Sequence, residues 1–272
     1  MTELRARPTV GTLLRDWRRR RRLSQLDLAL DAGVSARHLS FVETGRSKPS
    51  PEMVLHLAEQ LDVPLRERNQ MMLAAGYAPV FGQRTLDDPE MQPVREAIDL
   101  VLAGHEPYPA LVVDQHWEML ASNRGVTPLL EGVAAHLLEP PVNALRVTLH
   151  PEGMAPRIRN LAEWKAHLLE RLGRQIAVTG DPALATLHRE LSGYPSPPLD
   201  SGGNGGLADE IVVSLRLDGG ERELSFFSTV TTFGTAVDIT VAEIAIEAFF
   251  PADAATAEYL RAPGTSHQSP TS

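Results

Sequence analysis

The chain has 272 residues, 43% of them hydrophobic, and no cysteine. That length suggests two domains, and the missing thiols exclude disulfides, thiolate catalysis, iron–sulfur clusters and thiol redox sensing. The net charge of −9 is unevenly spread: residues 1–80 hold 13 Lys or Arg against 9 Asp or Glu, and the rest holds 13 against 26. A basic head that can face phosphates is joined to an acidic body that cannot. No run approaches the roughly 18 apolar residues of a membrane helix. The opening MTELRARPTV has no apolar segment behind its arginines, so no secretory signal is expected and a cytoplasmic location is.

Val10, Leu13, Leu14 and Trp17 fall at i, i+3, i+4 and i+7, one stripe of an amphipathic helix that closes near Leu23. Arg15, Arg18, Arg19 and Arg22 lie largely off that stripe, as a solvated face or a phosphate-facing one. Ser24 and Asp27 form a capping-box-like start to a second helix with Leu28 and Ala29 inward. Gly33 suits the left-handed turn that ends it. Ser35 caps a third helix, SARHLSFVE, with Leu39 and Val42 inward and Gly45 at its end. Ser50–Pro51 opens a fourth helix with the stripe Met53, Val54, Leu57, Ala58 and Leu61. Pro64 precedes a fifth, Leu65 to Ala75, ended by Gly76. Two short helices joined by a tight glycine turn inside a five-helix unit have helix-turn-helix geometry.

Residues 79–93, polar and proline-bearing, read as a linker, and a helix over 94–103 opens the second domain, expected to run over 94–262. ALVVD and WEMLASN read as two strands around Asp114–His116, with Asn123 starting a helix. Residues 159–172 and 182–191 look helical, and 193–208 is a Pro/Gly loop expected to be mobile. Alternation from Ile211 to Leu217, a turn at Asp218–Gly219 and alternation from Leu224 to Val230 predict a hairpin. VAEIAIEAFF gives a last strand ended by Pro251, and 263–272 reads as a disordered tail. The expected fold class is multidomain α and α+β. A five-helix DNA-binding domain over residues 1–78 precedes a five-stranded antiparallel sheet with helices across one face.

Gln25, Ala29, Gly33, Val34, Leu39, Glu43 and Gly45 resemble the pattern of the XRE family of phage-repressor-like regulators, over about residues 10 to 75. RHLSFVETGR, PLRERNQMMLAAGYAP, ALVVDQHWEMLASN, FFSTVTTFGTAVDIT and IEAFFPAD together resemble the MmyB-like regulators, which join an XRE domain to a PAS-like ligand-binding domain. The resemblance implies a transcription regulator acting on a nearby gene, with repression the expected sign, in response to a small apolar or fatty-acid-like ligand. Gln25 would hydrogen-bond a phosphate and brace the next helix. Ala36, Arg37, Ser40 and Phe41 fall where the recognition helix would meet base edges, with Ser35 a further DNA contact. Arg37 is the strongest base reader among them, since a guanidinium pairs bidentately with guanine. Ala36 and Phe41 could touch thymine methyls, and Phe41 could equally be core. Arg46 and Lys48 suit backbone phosphates. The partners implied are double-stranded DNA carrying a pseudo-palindromic operator, a second copy of the chain, and the ligand.

For the ligand site, Trp117, Leu120, Trp164, Phe226, Phe227 and Phe249 are candidate wall residues that could equally be plain core. Arg157, Arg159, Arg146 and His150 are candidate anchors for an anionic headgroup, or surface charges. Asn123 and Asn160 could orient a ligand or cap helices. The nine histidines lack metal-ligand spacing, and no phosphate-binding or nucleophile motif is present, so no metal, cofactor or enzymatic activity is expected. The alternative reading makes the acidic body a protein-interaction module without a small-molecule ligand.

Overall fold

The computed structural model describes residues 8–198, 213–220, 222–234 and 236–262. Ile211 and Val212, most of the 193–208 loop and the 263–272 tail lie outside the described residues. The chain divides into two compact units. One takes the described residues up to Thr85 with the short segments 177–179 and 236–242, and the other takes the rest.

The first unit contains α1 (Val10–Arg20), α2 (Gln25–Asp31), α3 (Ala36–Glu43), α4 (Pro51–Gln60) and α5 (Leu65–Ala74). Its starts are local chemistry. The side chains of Thr9, Ser24, Ser35 and Ser50 each accept a backbone N–H three residues on, and Ser24 and Asp27 complete a capping box. The stops are equally regular. After α2, Gly33 takes a left-handed φ of 64°. There the Val34 N–H reaches the Ala29 carbonyl at 2.9 Å and the Gly33 N–H reaches that of Leu30 at 3.1 Å. This double bond pattern satisfies carbonyls the helix end would otherwise orphan. Leu14, Leu28, Leu39, Val54, Leu57, Leu61 and Met71 close over a common core.

The rest of the chain runs through α6 (Gln92–His105), β1 (Ala110–Val113), β2 (Met119–Ser122), a 3-10 segment (Arg124–Leu130), α7 (Ala144–Leu149), α8 (Leu161–Thr179) and α9 (Pro182–Ser192). It then forms β3 (Leu215–Asp218), β4 (Glu223–Thr232), α10 (Ile239–Glu243), β5 (Ala245–Pro251) and α11 (Ala254–Arg261). The strands make one antiparallel sheet in the order β2-β1-β5-β4-β3. Strand alternation sorts side chains between its faces. Leu111, Val113, Leu215, Leu217, Leu224, Phe226 and Phe249 join a core with α7, α8 and α9. Ala110, Val112, Ile244 and Ile246 meet Ile98 and Leu102 of α6 instead.

Three expectations shift. The predicted last strand starts only at Ala245, because 239–243 is helical; the Asp238 carboxylate accepts the Thr240 N–H at 2.9 Å and opens that helix. Trp117 is not a strand residue but sits in the β1–β2 turn at φ 67°. Two further helices, α7 and α11, carry no strong sequence period; Asn143 and Asp253 cap them.

Candidate functional site

The recognition helix of the first unit, α3, is fixed from behind. Glu43, at its last turn, is buried and takes two bonds from Arg18 of α1, at 2.7 and 2.8 Å. A third comes from Gln25 of α2, at 2.8 Å. Arg15 donates to the Glu43 carbonyl at 2.6 Å. Burial pushes the Glu43 carboxyl up, but the hydrogen bonds and charges of Arg18, Gln25 and Arg15 outweigh it, and its pKa lies below the usual carboxylate range. One side chain thus ties three helices. Arg15 and Arg18, expected on a free basic face, are part of this frame. Gln25 spends one amide hydrogen on Glu43.

On the outer side of α3, Arg37 is exposed and Ala36, Ser40 and Phe41 are half-buried. The Phe41 ring is flanked by two guanidinium groups, Arg37 at 5.4 Å and Arg46 at 5.9 Å from its centroid. Phe41 therefore supports the two cations rather than filling the core. Ser35 Oγ accepts the His38 N–H at 3.1 Å, so its hydroxyl proton stays available. Lys48 is exposed, with its ammonium 4.8 Å from the Tyr77 ring. Together the exposed Arg37, Arg46 and Lys48 give this surface positive charge.

The second unit holds a small cavity, of about 50 Å³, between the sheet and the helices over it. The sheet side supplies Leu111, Met119, Leu215, Glu247 and Phe249. Trp117 comes from the β1–β2 turn, Val126, Leu129 and Leu130 from the 3-10 segment, and Ala144, Leu145, Val147 and Thr148 from α7. Trp164 and Leu168 come from α8, with Val142 and Met154 completing the wall. Its polar groups are few. Trp117 Nε1 donates to Gln175 at 2.9 Å, and the Thr148 hydroxyl donates to the Ala144 carbonyl at 2.8 Å. Glu247 accepts from Arg171 at 2.9 Å, and the same guanidinium lies 4.4 Å from the Trp117 ring centroid.

Of the residues singled out for this site, Trp117, Trp164 and Phe249 lie on the cavity wall. Phe226 is fully buried in the adjoining core. Phe227, one position on, points to the opposite face and stacks on Phe250, with centroids 5.3 Å apart. Leu120 is 42% exposed, while its neighbour Met119 faces the cavity. The Asn123 amide is used internally by Ala110 N–H and the carbonyls of Leu102 and Tyr108. Asn160 is likewise bound to Ser214, Glu163 and Arg216. None of the four suggested anchors lines the cavity. Arg146 makes a two-point pair with Glu190, both contacts at 2.8 Å. Arg157 donates to the carbonyls of Leu129, Glu131 and Pro128, and Arg159 pairs with Asp218 at 2.5 Å. His150 packs edge-on against Tyr194. The wall residues of α7 were missed because that helix has no legible stripe.

The fold also brings His136, His150 and Glu152 together, their ligand atoms within 4.8 Å of one another. His150 Nδ1 accepts the Glu152 N–H at 3.1 Å. Among the described residues no helix is long and apolar enough to cross a membrane.

Comparison with known proteins agrees with both halves. Residues 14–68 match the helix-turn-helix family model. A curated relative from Bacillus subtilis (strain 168), described as the uncharacterized HTH-type transcriptional regulator RghRB, is 31% identical over 113 residues, 41% of this chain and 79% of its own length. Residues 94–262 match the model of the MmyB-like transcription regulator ligand binding domain. With a helix-turn-helix framed by Glu43 ahead of that domain, the chain belongs to the MmyB-like transcription regulators, DNA-binding proteins that carry a ligand-binding domain.

Proposed function

We propose that this protein is a cytoplasmic repressor that binds a pseudo-palindromic operator as a homodimer and responds to a ligand with an apolar, acyl-chain-like body held in the cavity. The observation that carries this reading is the pairing, in one chain, of an exposed Arg37–Arg46–Lys48 surface on a braced recognition helix with a largely apolar cavity. Arg37 reads a base with Ser40 beside it at the base edges, Ala36 and Phe41 contribute apolar contact, and Gln25, Ser35, Arg46 and Lys48 hold the backbone. One head covers only a half-site, so two copies with recognition helices about 34 Å apart span an operator. Ligand binding shifts the population of dimers whose heads match that spacing. The largely apolar lining of the cavity favours the sensor over a pure interaction module.

Gel shift on DNA upstream of the gene tests the reading. Wild-type protein should retard a pseudo-palindromic fragment at low salt, and solvent extraction of the purified protein should release an apolar compound. Leu168→Trp, which fills the cavity, should release none and still retard the fragment. Failure to retard any upstream fragment at low salt refutes the DNA half. Equal release from wild type and Leu168→Trp refutes the cavity half.

A further inference from the structure

We infer that His136, His150 and Glu152 form a binding site for a divalent transition metal of the zinc class, which ties two surface segments of the second unit together. The inference is independent of the ligand-binding reading, because no residue of the cluster lines the cavity.

Two imidazoles and one carboxylate are a donor set that holds Zn²⁺ with a position left for water. Their ligand atoms lie within 4.8 Å of one another, and His136 Nε2 is 3.9 Å from a Glu152 carboxylate oxygen. Tetrahedral ligands bound at about 2.0–2.1 Å sit about 3.4 Å apart. Closing the site therefore moves each atom by about an ångström through side-chain rotation. The His136 and Glu152 side chains, 56% and 66% exposed, have the room to make that move.

The backbone beneath is fixed in advance. The Glu152 carbonyl accepts the Ala134 N–H at 2.9 Å and so joins the two segments. The His150 carbonyl accepts the Gly153 N–H, and the Val147 carbonyl that of Met154, both at 2.8 Å. A Cβ at Gly153 would lie 2.2 Å from the Val147 carbonyl oxygen, so the turn presenting His150 and Glu152 has no room for another residue there. The His150 ring packs edge-on against both His136 and Tyr194, with centroids 5.8 and 5.1 Å away. Ligands held by such a frame lose little freedom when a metal binds.

Charge points the same way. Among the described residues Glu152 meets no Lys or Arg, and its charged neighbour is His136. Glu190, close enough to His150 for their charges to interact, is already paired with Arg146. Two neutral imidazoles leave the Glu152 charge uncompensated, and a divalent ion offsets it. One bond opposes binding, that of the Glu152 N–H to His150 Nδ1. A metal taking that nitrogen releases the N–H to water, at a cost of about 3- to 10-fold in affinity. Mg²⁺ and Ca²⁺ favour oxygen ligands, so imidazole selects against them.

Competition for Zn²⁺ against a chromophoric chelator, on the untagged full chain, tests the site. Wild type should take one Zn²⁺ per chain and hold it about 100-fold or more tighter than Mg²⁺. His136→Ala and Glu152→Gln change exposed side chains and should each weaken Zn²⁺ by about tenfold or more. His188→Ala, outside the cluster, should change it by less than about twofold. Hydrogen exchange reads the tie: Zn²⁺ should slow the Ala134 amide by about tenfold in wild type and not in His136→Ala. Absence of saturable one-to-one binding, Mg²⁺ bound as tightly as Zn²⁺, or a loss in His188→Ala equal to that in His136→Ala overturns the site. Zn²⁺ bound without slowing the Ala134 amide overturns the tie between the segments.

Discussion

Glu43→Ala removes the acceptor on which α1, α2 and α3 converge. In the wild type the Arg18 side chain is 10% exposed and that of Glu43 1%, so the pair sits almost wholly out of water. The variant strands the Arg18 guanidinium with one remaining bond, to the Leu23 carbonyl at 2.9 Å, and leaves Gln25 Nε2 without its partner. Removing one member of a buried ion pair costs about 3–5 kcal/mol. A domain of this size has roughly 4–10 kcal/mol in total, so the loss consumes much of it. Hydrogen exchange on the full chain reads the cost locally: the amides of Leu14, Leu39 and Val42 should exchange roughly 10²- to 10³-fold faster. The double substitution Arg18→Met with Glu43→Leu should recover most of the protection, since an apolar pair strands no charge. Acceleration below about tenfold, or a double variant no better than the single, would refute the claim that a buried charge sets the cost.

Acid should act on the same network. The folded pKa of Glu43 lies below its ordinary value, and so does that of Glu190, held down first by its bond to Arg146. Their contribution is therefore complete above the unfolded carboxylate pKa, about 4.3, and is lost as pH falls through the depressed folded values. Denaturant midpoints should be flat from pH 7 to about 5 and drop below about 4; a midpoint that rises on acidification would contradict this. Gly11→Ala should destabilise the first unit by about 1–3 kcal/mol, because a Cβ would lie 2.4 Å from the Val42 carbonyl oxygen. The gain of about 1 kcal/mol in helix propensity does not offset that clash, and a denaturation series shows which term wins. Arg37→Ala should cost about 1–3 kcal/mol on the operator and relax one base position, whereas Lys48→Ala should weaken all sequences alike and lower the salt slope by about one. Fluorescence anisotropy over a salt series separates the two, and identical behaviour would remove the distinction between base reader and phosphate contact.

Short-range chemistry accounts for everything legible along the chain. Helix starts at Ser24, Ser35 and Ser50 and the reversal at Gly33 follow from residues three or four apart, so the helix-turn-helix could be read along the chain. Strand alternation likewise contained the separation of Phe226 from Phe227, since neighbours in a strand cannot share a face. Tertiary structure alone decided which charges are free. Arg18 meets Glu43 25 residues away and Arg146 meets Glu190 44 residues away. Neither pairing leaves a local signal, so framework arginines looked like ligand or phosphate contacts. The α7 contribution to the cavity and the Trp164 donor, unpartnered among the described residues, belong to the same class. Both depend on which surfaces the folded chain brings face to face, and a donor's lack of a partner is a property of everything packed around it.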